Sequence, residues 1–143
     1  MSAESFNVRA SEIVHRAQQD GNELLREGRL KDAKIAVANA QRDLRAVKRD
    51  AMDEQRTVQD SYSYSDARMR ANETGQTIGM FAGAKFRSSM ARSRAAAKRN
   101  IQREQTAAVR PYTELKSHID RLISELDRNK AQITQAIAEQ RDT

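Results

Sequence analysis

Apolar positions recur along this chain every three or four residues, a spacing that predicts helices almost from end to end. In residues 3–27, Phe6, Ala10, Ile13, Ala17 and Leu24 fall on one helical face, with Val14, Gly21 and Leu25 beside them. Glu27-Gly28-Arg29 predicts a break, with Gly28 suited to a left-handed C-terminal cap. The next segment carries the cleanest pattern. Leu30, Ala33, Val37, Ala40, Leu44, Val47, Ala51, Glu54 and Val58 alternate steps of three and four without a slip. That is a heptad seam rather than a broad core face. A short loop between two such helices predicts an antiparallel hairpin over residues 1–60.

Residues 61–79 hold almost nothing to bury and read as a polar hinge. Ser63 or Ser65 is placed to cap a helical extension to about Thr74, and Gly75 marks a turn. A third helix is expected from about Thr77 to Val109, ending before Pro111, because proline disfavours helical backbone in the residue before it. A fourth, over 112–141, again carries a heptad: Leu115, Ile119, Leu122, Leu126, Asn129, Ile133, Ala136 and Gln140, widened by Ile123 and Ile137. Asn129 has two readings of equal weight. Either it fixes register as a lone polar seam residue, or it marks where the seam turns to solvent. The expected fold is all-α: an antiparallel hairpin plus two further helices in a coiled-coil-like bundle. Residues 80–143 would pack as one domain with the hairpin or with a second copy.

Gly21, Gly28, Ala33 and Ala40 resemble the small-residue spacing of one tetratricopeptide repeat. The usual aromatics and closing proline are missing, and so is a second copy, whereas such repeats need about three units for stability. Ordinary hairpin geometry accounts for the spacing.

Composition narrows the classes. Hydrophobic residues make up 38% of the 143, but much of that is alanine, so any core is thin and association with a partner would supplement it. There is no cysteine, which excludes disulfides and thiolate metal sites. No secretory leader and no run of about 18 apolar residues is legible, so a soluble, cytoplasmic protein is expected.

Charge changes the picture most. The net +6 arises in one stretch: residues 85–110 carry Lys85, Arg87, Arg92, Arg94, Lys98, Arg99, Arg103 and Arg110 against Glu104 alone. A localised positive field draws anionic partners. On a helical wheel Gly79, Phe86, Met90, Ala97, Ile101 and Ala108 form a narrow stripe that must bury. Lys85, Arg92, Arg99, Arg103 and Arg110 gather almost opposite it, and Arg87, Arg94 and Lys98 form a second ridge beside it. Three readings compete. In the blandest, the cations pair with acidic residues of neighbouring helices, such as Asp43, Asp50, Asp120 or Asp127. In the second they meet nucleic-acid phosphates, with binding that falls steeply with salt. In the third, the segment Ile78–Phe86 lies on an anionic membrane surface. Gly79-x-x-x-Gly83 resembles the close-packing motif of membrane helices, but outside a long apolar stretch it suits two soluble helices.

Catalysis finds no support. His15 and His118 sit on different predicted helices, Glu12-x-x-His15 occurs once without supporting ligands, and no phosphate-cradling glycine loop is present. The expectation is a non-catalytic binding or assembly protein, not an enzyme, with no cofactor, no metal and no small-molecule substrate. Its seams (Leu30, Val37, Leu44, Val47, Leu115, Ile119, Leu122, Leu126, Asn129, Ile133) would hold a second copy or a protein partner, and its basic helix would face an anionic surface. The alternatives are a sequence-nonspecific nucleic-acid binder and, second, a peripheral binder of anionic membranes.

Overall fold

The computed structural model describes the backbone of residues 2–77 and 84–142, and side-chain surroundings for 2–64 and 92–142. Among the described residues the chain forms three helices: α1 (Ala3–Arg26), α2 (Leu30–Thr77) and α3 (Ala84–Asp142). They divide into two compact units, one of residues 1–53 with 112–143, the other of residues 54–111.

α1 starts where Ser2 accepts a hydrogen bond from the Ser5 amide at 3.2 Å, satisfying one of the orphan donors of a helix start. It stops at Gly28, whose φ of 76° is open to glycine at little cost. There the Arg29 amide donates to the Leu24 carbonyl at 2.8 Å and the Gly28 amide to Leu25 at 3.1 Å. These two bonds make a Schellman ending, as the sequence predicts. α2 begins at once, and the short connection folds α1 back along it. Arg9, early in α1, reaches Asp50, late in this part of α2, at 3.9 Å.

The third wall of this unit is residues 112–142 of α3, antiparallel to α2. Two polar clasps fix the register. The Gln41 amide donates to the Ile123 carbonyl at 3.2 Å and to Asp127 Oδ1 at 2.5 Å, and Lys48 Nζ meets Asp120 at 2.6 Å. Gln41 and Lys48 are one heptad apart, and so are Asp120 and Asp127, so one heptad of each helix is held at both ends. Between and beyond the clasps the apolar seams close. Leu44, Val47, Ala51 and Ile119 are fully buried, with Val37, Leu115, Leu126 and Ile133 nearly so. Full burial of each large aliphatic side chain is worth about 1.5–3 kcal/mol. α1 contributes Phe6 and a small-residue face of Ala10, Ala17 and Gly21.

Two expectations about the elements are corrected. The segment read as a polar hinge is helical through Thr77, with Gly75 inside α2; residues 78 and 79 lie outside the described residues. The heptad explains part of this, because Val58 and Tyr62, four residues on, remain half-buried and carry the seam past the last strongly apolar position. The break at Pro111 is also absent. What the sequence divides into a third and a fourth helix is one helix, α3, with Pro111 in its interior. Ala97, Ile101, Ala108, Tyr112, Leu115 and Ile119 keep one inward phase across the proline. Pro111 itself is exposed, so the Ala107 carbonyl, which loses its N–H partner, is on a side that water reaches.

Residues 54–111 form the second unit, containing the end of α2 and the start of α3. None of its described side chains is fully buried. Val58, Tyr62, Ala97, Ile101, Ala108 and Val109 are all half-covered.

Candidate anion-binding face

Helical geometry places Arg92, Arg99, Arg103 and Arg110 on one line of α3. Steps of seven, four and seven residues average close to the 3.6-residue turn, so the four lie within about 40° of each other. All four are exposed. Arg99, Arg103 and Arg110, together with Gln102, Thr106 and Ala107, line a shallow groove of about 410 Å³ along the helix. Within it the Thr106 hydroxyl donates back to the Gln102 carbonyl at 2.8 Å. Thr106 thus helps to shape the groove and has no hydrogen left to give a ligand.

The structure sorts the other basic residues. Lys98 is exposed, whereas Arg94 is half-buried and faces the same side as Ala97 and Ile101. Arg94 and Arg110 both have interacting partners. Lys85 and Arg87 belong to α3 by their backbone, but their side chains, like those of Phe86 and Met90, lie outside the described residues. Gly79 and Gly83 do so altogether.

Of the four carboxylates expected to neutralise this stretch, Asp43 is exposed and the other three are engaged elsewhere. Asp50 meets Arg9, Asp120 meets Lys48 and Asp127 accepts from Gln41, all within the three-helix unit. Among the described residues no ion pair is formed by Arg92, Lys98, Arg99 or Arg103. The guanidinium groups of Arg92, Arg99 and Arg103, exposed on one line, present planar forks that match phosphate or carboxylate oxygens.

The seam residues have a different fate. Val37, Leu44, Val47, Leu115, Ile119, Leu126 and Ile133 are buried within the chain itself, and Leu30 and Leu122 are half-buried. Asn129 is exposed within this chain, and Lys130 beside it is half-buried. The polar residue that does set register is Gln41, 2% exposed, which sequence reading passes over because it stands next to the regular seam position Ala40. Its signal was the heptad partner Lys48, opposite two aspartates spaced by seven. Buried Tyr112, directly after the proline, is the other omission.

His15 is exposed and His118 half-buried. Among the described residues no group of three His, Asp or Glu side chains is placed to hold a metal ion, and no helix is long and apolar enough to cross a membrane. Compared with known proteins, the chain matches no family model, no curated protein and no solved structure.

Proposed function

We propose that this protein is a non-catalytic helical binding protein whose basic stretch, residues 85–110, engages an anionic surface on a partner. The observation that carries this reading is the line of exposed arginines at 92, 99, 103 and 110 along one face of a continuous helix. A folded chain gains nothing from concentrating like charge in this way, since self-repulsion opposes compaction. The three-helix unit supplies the stable part of the molecule, and its seams are spent on its own core. Self-association, a second reading, therefore rests on the half-buried row of Val58, Tyr62, Ile101 and Val109 rather than on the seam of residues 30–53.

Heparin affinity chromatography tests the charged face. The wild-type chain is expected to elute at distinctly higher salt than the Arg92→Glu/Arg99→Glu/Arg103→Glu variant, and equal elution would refute the reading. Sedimentation equilibrium over a hundredfold concentration range tests self-association. A mass that stays monomeric would remove it.

A further inference from the structure

The arginine face carries a second kind of information, in what stands between its cations. We infer that its partner is the sugar–phosphate backbone of a nucleic acid, bound without reading the bases. The inference rests on the anionic-surface reading above and names the source of the anions.

From residue 92 to 110 the residues within about 60° of the arginine line, besides the arginines, are Ala95, Ala96, Thr106 and Ala107, all exposed. The face therefore has cations and small side chains and no large apolar group. A protein partner docking here would find no anchor, whereas stable protein interfaces draw most of their energy from a few buried aromatic or large side chains. An anionic membrane needs an apolar face free to insert opposite the cations, and along residues 92–110 that side, with Ala97, Ile101 and Ala108, is half-buried within the chain. A phosphate backbone needs neither. Guanidinium forks bind phosphate oxygens two at a time, and alanines between them let the backbone come close.

The dimensions agree. At 1.5 Å per residue the line from Arg92 to Arg110 is about 27 Å long, and one strand of a duplex offers a phosphate every ~3.4 Å of axis. Each strand winds once around the duplex in about 34 Å, so the line meets phosphates of both strands where it crosses a groove. Base reading needs amides, carboxylates or arginines aimed at groove edges. Within about 60° of this line the single uncharged polar side chain is Thr106, whose proton is already given to the Gln102 carbonyl; the Gln102 amide itself stands about 80° away, at the groove's edge.

Fluorescence anisotropy of the full chain decides the matter, with three probes at matched salt. These are a labelled 25-base-pair duplex in two unrelated sequences, labelled poly-L-glutamate, and vesicles of mixed phosphatidylserine and phosphatidylcholine. Phosphate contacts by Arg92, Arg99 and Arg103 give a log–log salt slope of about −2.7, a loss of roughly 40-fold in affinity between 50 and 200 mM salt. The expected result is that slope for both duplexes with equal affinity, and much weaker binding of the other probes. The Glu triple variant should lose duplex binding. Arg92→Ala/Arg99→Ala/Arg103→Ala, which introduces no new charge, should flatten the slope to near zero, with circular dichroism confirming an unchanged fold. If poly-L-glutamate or the vesicles bind as tightly as the duplexes, the nucleic-acid assignment is wrong and the anionic face survives. A more than tenfold preference between the two duplexes would overturn backbone-only binding. If no probe binds at 50 mM salt, both the assignment and the face are wrong.

Discussion

At the scale of single residues, three positions govern the three-helix unit by different physics. Gly21 is buried in α1, yet a methyl group added there meets no heavy atom within 4 Å. Its lack of a side chain costs chain entropy without serving a close approach, so Gly21→Ala should stabilise by about 0.5–1 kcal/mol, read as a rise in melting temperature. Gly28 is the opposite case. Its positive φ serves the Schellman turn, and Gly28→Ala should lower stability by about 1 kcal/mol although the space there is open. Gln41 is held by two acceptors from α3, and truncation removes both bonds and leaves a void. Gln41→Ala should cost about 1–3 kcal/mol in urea unfolding, and Gln41→Leu, which refills the volume, distinctly less. If the two variants unfold alike, the clasp is ornamental.

At the scale of elements, the helices show which sequence signals outweigh others. Gly28 and the heptads were legible because each acts locally: one backbone conformation, one spacing. The polar segment after Val58 and the arginine before Pro111 also gave local signals, and both misled. A helix boundary is settled by what burial lies beyond it. Tyr112, Leu115 and Ile119 lie just past the proline in the same phase as Ala108, and their burial outweighs one missing hydrogen bond. That bond still has a value. A proline inside a helix costs about 3 kcal/mol, so Pro111→Ala should raise thermal stability by up to that amount and slow amide exchange near Ala107. A fall in stability would mean the pyrrolidine ring is itself part of the packing. The register clasp escaped sequence reading for another reason. Gln41 and Asp127 stand 86 positions apart, and no local pattern on either helix names its partner.

At the scale of the whole molecule, burial and charge occupy different units. Every buried core side chain among the described residues belongs to residues 1–53 or 112–143, while the excess positive charge belongs to 54–111. Local stability follows buried contacts, so hydrogen exchange should be markedly faster at residues 54–64 and 92–108 than at 33–51 and 115–133. Equal protection across both units would show cohesion that the described contacts do not supply. The arginine face was largely legible, because charge and wheel position are sequence properties. That three of its four expected carboxylates are occupied by Arg9, Lys48 and Gln41 was not, since pairing depends on the register of the folded helices.

The register clasps have a further consequence, in time. They join residues 72 to 86 positions apart, so the core-bearing unit is assembled from two stretches made at different moments of synthesis. α1 and α2 are able to pair as soon as they emerge, because only a tight turn separates them. The side of α2 that residues 112–142 cover must then wait until those residues leave the ribosome. An open apolar seam on a growing chain is what holding chaperones bind and what aggregates when they are scarce. The purified chain faces the same order of events: local hairpin first, long-range docking last. In stopped-flow refolding, truncating Ala17, in the early hairpin, should slow the main phase, while truncating Ile119, docked last, should chiefly speed unfolding.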